Sequence, residues 1–259
     1  MTTPRPYYHD DAVTLYHGDM RDLVPALSLS PHALADCVVT DPPYGETTLT
    51  WDRWPNGWPG LIADVADSMW CFGSMRMFLE RRNDFAAWTL SQDLVWEKQN
   101  GTGFAADRFK RVHEHVLHWY QGGWNLVHHE TPKVAVNHRT RGNAGRGQVP
   151  HTGKIGSSTW IDDGTRLMRS VIQAPNMWRR GAIHPTEKPV EVLRPLIEYA
   201  CPPGGVVLDP FAGSGSTADA ARSIGRRAVL IEANERYCSA IATRLSQGVL
   251  DLAGGGSHA

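Results

Sequence analysis

The segment GGVVLDPFAGSGSTADAARSIGRRAVLIE (204–232) constrains this chain more than any other. An apolar run, a glycine-rich turn, a helix-length stretch and a second apolar run follow one another. Gly213 and Gly215 let backbone N–H groups approach a ligand at a helix N-terminus. The run from Gly213 to Ala218 formally fits GxGxxG/A, and the next strand ends in Glu232, an acid that can accept both hydroxyls of a ribose. A unit of this kind belongs in a parallel α/β sheet and presents its ligand at strand carboxyl ends. Asp209 ends the first strand. Its carboxylate would repel a pyrophosphate and attract a cationic amino group, which favours S-adenosylmethionine (SAM) over a dinucleotide. The competing reading of Asp209 is a helix N-cap.

The rest of the chain repeats the alternation. AVTLYHGD (12–19), ADCVVTDPPYG (35–45), SMWCFG (68–73), DLVWEK (93–98) and HEHVLHWY (113–120) read as strands. RDLVPALSL (21–29), residues 60–67, SMRMFLERRNDFAAW (74–88) and EKPVEVLRPLIEYAC (187–201) read as helices. Pro25 should sit in the first turn of its helix or break it. The pattern predicts a doubly wound, mostly parallel α/β sheet in a single domain over 1–259, with a flexible tail at 248–259. The chemistry should then follow the apolar strands. Asp41-Pro42-Pro43-Tyr44 does so. Two prolines fix the backbone, aiming the Asp41 carboxylate and the Pro42 carbonyl at one point where they could hold an exocyclic amino group. Tyr44 offers a face for a planar base. Read blandly, the prolines end a strand and Tyr44 packs.

Charge is unevenly spread. The 26 Lys and Arg nearly cancel 27 Asp and Glu, for a net of -1, which excludes a uniformly basic nucleic-acid coat. Yet residues 97–188 carry a net of +7 and the remainder -8. Within that basic part, 137–158 holds Arg139, Arg141, Arg146 and Lys154, five glycines and no acid. It reads either as a solvated loop or as an arm that tracks phosphates. Arg179 and Arg180 could touch phosphates or read guanine edges. Trp51, Trp54 and Trp58 beside Arg53 could help hold an opened duplex, although core packing is the better reading for them. No apolar run nears membrane-spanning length and no secretory signal is visible, so no membrane is expected as a partner. Cys37, Cys71, Cys201 and Cys238 read as reduced core thiols of a cytoplasmic protein. His113, His115 and His118 miss the HExxH spacing, and no metal is expected.

These motifs together resemble the DNA amino-methyltransferases that modify adenine N6 or cytosine N4. DPPYG is similar to their catalytic motif and LDPFAGSGST to their SAM motif, with Ser216 where Thr is more usual. HPTEKPVEVLRPLI (184–197), WEKQN (96–100), HEHVL (113–117) and HGDM (17–20) resemble the intervening motifs. The order, catalytic motif first, is that of the permuted beta class. The resemblance implies a circularly permuted, Rossmann-like methyltransferase sheet with SAM as cofactor and double-stranded DNA as partner. It also implies an irregular basic target-recognition insertion at 125–175. A homodimer and a cognate restriction enzyme are compatible further partners. Asp41, Pro42, Pro43 and Tyr44 are the implied catalytic residues, acting by base flipping and direct displacement. Asp19 is expected near the SAM adenine, and Glu232 at the ribose. Asp209, Phe211, Gly213, Gly215, Ser216 and Thr217 should line the methionine and sugar region. Thr186 and Lys188 are expected near the methionine carboxylate. Lys188 also reads as a surface lysine and Asp19 as a turn residue. Asp at the head of the motif tilts the resemblance toward adenine, with cytosine N4 as the alternative. A dinucleotide-dependent oxidoreductase would leave Asp-Pro-Pro-Tyr unexplained, and the intact motifs argue against an inactive DNA-binding relative.

Overall fold

The computed structural model describes residues 4–27, 34–102, 106–135, 163–175 and 187–254. The strands are β1 (Tyr8–His9), β2 (Val13–His17), β3 (Cys37–Thr40), β4 (Ser68–Gly73), β5 (Thr89–Thr102) and β6 (Arg111–Tyr120). They continue with β7 (Lys133–Ala135), β8 (Thr165–Leu167), β9 (Val171–Gln173), β10 (Val206–Asp209) and β11 (Arg227–Glu232). The helices are α1 (Met20–Leu27), α2 (Trp58–Ala63), α3 (Met75–Glu80), α4 (Val190–Ala200), α5 (Ser216–Ser223) and α6 (Glu235–Gly254).

Among the described residues, nine strands form one sheet in the order β1-β2-β11-β10-β3-β4-β6-β5-β9. The five from β2 to β4 are mutually parallel, whereas β6 runs antiparallel to both β4 and β5. Alternation along each central strand builds two cores. Cys37, Val39, Trp70, Phe72 and Val207 face one side, against Val192 and Leu196 of α4, Ala220 of α5 and Ile241 of α6. Val38, Met69, Cys71 and Leu208 face the other, against Met20 of α1, Trp58 and Ile62 of α2 and Met77 of α3. Strands covered on both faces carry near-continuous apolar runs, and this is why CVVT and SMWCFG are legible as strands.

The chain's two ends meet in this sheet. β2 near the start pairs with β11 near the end, Leu15 opposite Leu230. β10 pairs in parallel with β3, Val207 opposite Cys37. The helix after β3 covers one face and the helix after β10 covers the other. A crevice therefore opens between these two strands at their carboxyl ends.

Several expectations shift. Pro25 lies inside α1, not in its first turn. The carbonyl it leaves without a donor is that of Arg21, an exposed residue that water can serve. The 74–88 helix is α3 followed by a 3-10 turn, Arg82–Phe85, which brings both Phe85 and Trp88 into the core. β5 outruns DLVWEK because β6 pairs with it from Thr89 to Glu97 and again at Thr102, with irregularities after Leu90 and after Glu97. α6 continues through Gly254, so helix covers 248–254 of the expected tail. Of the segment 125–175 expected as an irregular insertion, the described residues include β7, which pairs with β8, and β9, which joins the main sheet beside β5. All four cysteines are buried and unbridged. Among the described residues no helix is long and apolar enough to cross a membrane.

Candidate active site

The carboxyl ends of β2, β11, β10 and β3 open into one cleft of about 1620 Å³. Asp19, Asp41, Asp209 and Glu232, the acids at those ends, all line it.

Asp41 follows the last residue of β3, and Pro42 and Pro43 end the ladder there. Its carboxylate is only partly exposed and is held on both oxygens. The Tyr44 hydroxyl donates to Oδ1, and the Lys188 ammonium pairs with Oδ2. Tyr44 packs its ring against the core beneath the cleft, so it is a support for Asp41 as well as a wall. Lys188 was expected at the methionine carboxylate. Its ammonium lines the cleft, bonds to Asp41, lies 3.5 Å from Glu114 Oε2 and sits 5.1 Å over the Phe72 ring. Glu114 pairs in turn with Lys98, which lies 4.7 Å over the Trp96 ring. Two lysines and two carboxylates thus alternate in one low-water cluster, Lys98–Glu114–Lys188–Asp41. The surface-lysine reading fails, since Lys188 is 8% exposed.

Burial sets the electrostatics of this cluster. It pushes the Asp41 carboxyl above the usual range; the Lys188 charge counters that and the Glu114 charge adds to it. Burial raises Glu114 as well, but Lys188 and Lys98 outweigh it and hold Glu114 low. Desolvation alone would depress Lys188; its two carboxylates win and keep it charged.

The glycine turn lies across the crevice. Asp209 is buried and accepts from Thr40 Oγ1 at 3.0 Å, Thr217 Oγ1 at 2.6 Å and the Phe211 N–H at 3.1 Å. It is not a helix cap: the N-cap position of α5 is Gly215, with φ 77°. A side chain at Gly215 would be strained at that φ, and its Cβ would stand 2.9 Å from Ile241 of α6. Glu232 is fixed by two backbone donors, Gly213 and Asn234, each at 2.8 Å. Burial raises its carboxyl. Ser216, the departure from the usual Thr, bonds Ser214 at 2.8 Å and reaches Glu187 at 3.4 Å. Arg244 of α6 holds Glu187 at 3.1 Å. Asp19 behaves as a turn residue, accepting the Arg21 N–H and pairing with the Arg21 guanidinium, while still lining the cleft.

The tryptophans divide. Trp54 and Trp58 are core residues, Trp58 packing edge-on to Phe211 at 5.4 Å; Trp51 is exposed on the cleft wall. His118 is buried and bonded to Ser68 at 2.9 Å, and burial pushes it down to about 3, so it stays neutral. Among the described residues no group of His, Cys, Asp or Glu is arranged to hold a metal ion. Thr186, Arg139, Arg141, Arg146, Lys154, Arg179 and Arg180 lie outside the described residues.

Sequence reasoning did not single out Lys98, Glu114, Thr40, Glu187 or Arg244. A signal existed for Glu114. It is an acid within a strand whose later residues are buried, and it lies opposite Trp96 in the ladder.

A family model described as DNA methylase, of the N6/N4 type, matches residues 35–243. The Type II methyltransferase M.ScaI of Streptomyces caespitosus is 26% identical over 268 residues, covering 93% of this chain and 84% of its own. Among solved structures, the M1.HpyAVI–SAM complex superposes with a TM-score of 0.61 at 19% identity, over 90% of this chain and 99% of its own. The PvuII DNA methyltransferase (cytosine-N4-specific) gives 0.66 at 15% identity, over 96% and 94%.

Proposed function

This chain belongs to the N6/N4 DNA methylase family, and we propose that it methylates the N6 amino group of adenine in double-stranded DNA, using SAM. One observation carries the reading. Asp41-Pro42-Pro43-Tyr44 ends β3, the glycine turn follows the adjacent parallel strand β10, and both line one cleft. A nucleophile and a cofactor held at these two strand ends would meet across that crevice.

The donor set suits SAM. Asp209 and Glu232 are anchored carboxylates beside the Phe211 ring, in a cleft able to attract a cation. Glu232 would hold the ribose; Asp19 and Phe211 would border the adenine and sugar, and the Gly213–Thr217 turn the methionine end. Thr186 belongs to the same proposed set. When bound, SAM supplies an electrophilic methyl group on a sulfonium, which the amino nitrogen displaces.

The chain's own residues do the rest. The target adenine leaves the stack because its amino group cannot reach the cleft from inside a duplex. Asp41 and the Pro42 carbonyl accept hydrogen bonds from that amino group, which draws its lone pair out of conjugation. Pro42 and Pro43 fix the direction of both acceptors, so most of the acceleration is positional. Tyr44 steadies Asp41 through its hydroxyl and borders the base. The proton released on methylation goes to Asp41 or to water beside it. Arg139, Arg141, Arg146 and Lys154, within a 125–175 segment that would recognise the target, and Arg179 and Arg180 just beyond it, are the proposed phosphate and base contacts.

Asp at the head of the motif is what favours adenine. The test is nucleoside mass spectrometry of unmethylated DNA incubated with the chain and SAM. N6-methyladenine is the expected product. N4-methylcytosine would make it the cytosine enzyme, and neither product would sink the proposal. Long-read sequencing of DNA from expressing cells would then give the recognised site.

Asp209 adds a pH signature. Burial raises its carboxyl to about 6, from an ordinary value near 3.8. The fold therefore favours the protonated form, and this group's stabilising contribution is full below the ordinary value and lost as pH rises through about 6. A cationic ligand needs the ionised form. On acidification from about pH 7.5 to about pH 5, SAM affinity should fall in the wild type and stay flatter in Asp209→Asn. Calorimetry across that range decides; parallel pH dependences in the two proteins would remove Asp209 from the site.

A further inference from the structure

β5 and β6 are antiparallel neighbours, and residues 106–110 are the described part of the segment that leads into β6. Residues 106–111 are all exposed. Phe109 is 100% exposed, whereas Phe72, Phe78 and Phe85 are buried in the core. A lone exposed phenylalanine would need no explanation. This one is set among cations. Arg108 precedes it, and Lys110 and Arg111 follow. The local acid, Asp107, pairs with Arg108 at 2.8 Å in an exposed bridge that a phosphate could exchange. Lys110 lines the same cleft as Asp41, and Phe109 immediately precedes it in the chain. Thr47, Trp51 and Arg53 line the cleft from the loop after the Asp-Pro-Pro-Tyr turn.

A base that leaves a duplex opens a gap in the stack, and an apolar or aromatic wedge is the group that fills such gaps. Flanking cations fit the phosphates on either side, and stacking on an aromatic ring tolerates any neighbouring base. We propose that Phe109 enters the duplex as the target base leaves it, with Arg108, Lys110 and Arg111 on the flanking phosphates. This rests on the DNA-methylation reading above. It adds a residue from outside the expected recognition segment and gives the exposed ring a partner, the unstacked duplex.

The test uses the full chain and two synthetic duplexes carrying the site found by sequencing. One is intact; in the other the target base faces an abasic position and is already unpaired. Phe109→Ala should lower kcat/KM on the intact duplex roughly tenfold or more, and come within about threefold of wild type on the abasic one. With 2-aminopurine at the target position, the fluorescence rise on binding the intact duplex should shrink in step. Phe109→Trp should keep the wild-type behaviour, and SAM affinity should not change in either variant. Because the side chain is fully exposed, loss of folding does not cloud the result. Wild-type activity of Phe109→Ala on the intact duplex would overturn the proposal, as would an equal loss on both duplexes. If the wild type methylates no DNA at all, the underlying function fails first and takes this inference with it.

Discussion

Asp41→Ala should lower kcat for DNA methylation by roughly 10³-fold or more, while SAM affinity stays within about threefold of wild type. The effect is large because one side chain has two tasks. It polarises the amino group, and it offers the nearest base for the proton. The substitution also removes one of the carboxylates that pair with the buried Lys188 ammonium. Breaking a buried pair can cost about 3–5 kcal/mol of stability, so thermal unfolding must be followed alongside the kinetics. Asp41→Asn is the companion variant. It keeps the shape and a carbonyl acceptor but removes the negative charge, and it should still lose activity by about 10²-fold. Near wild-type rates in a folded, SAM-binding Asp41→Ala protein would show that the assignment of Asp41 is wrong.

The second large effect concerns the cluster behind Asp41, where two substitutions should act with opposite sign. Lys188→Met removes the cation that offsets burial at Asp41. Asp41 should then titrate higher, and its ionised fraction at neutral pH should fall. We expect kcat to drop about 10²-fold near pH 7 and partly recover at alkaline pH. Glu114→Gln removes a like charge that raises Asp41. The acidic limb of its kcat–pH profile should move to lower pH instead. A purely structural role for these residues would lower activity uniformly across pH. Limbs that stay in place in both variants would therefore refute the electrostatic account. Lys188→Arg, which keeps the charge, should restore much of the rate lost in Lys188→Met.

Much of this site is legible in the linear sequence because its parts are local. The Asp-Pro-Pro-Tyr turn, the two glycines and the acid ending β11 are set by φ restrictions and strand ends, which are short-range properties. The strands CVVT, SMWCFG and VVLD are equally plain, since a strand buried on both faces needs an unbroken apolar run. The misses share one cause. Phe85 and Trp88 turn inward and end the α3 helix early, and β6 prolongs β5 beyond its own pattern. In both places pairing and packing with other elements overrode the local periodicity. The pairing of Lys188 with Asp41, 147 positions away, likewise has no local signal.

By itself, the sequence determined the fold class, the family and the identity of the groups at two strand ends. Backbone stiffness, glycine freedom and apolar runs act over a few residues and leave their marks there. Only the tertiary structure decided how those groups are charged. Pairing β5 with β6 and docking the α4 entrance against β3 bring Lys98, Glu114, Lys188 and Asp41 into one buried cluster. Charges so far apart in the chain interact strongly only when folding removes the water between them.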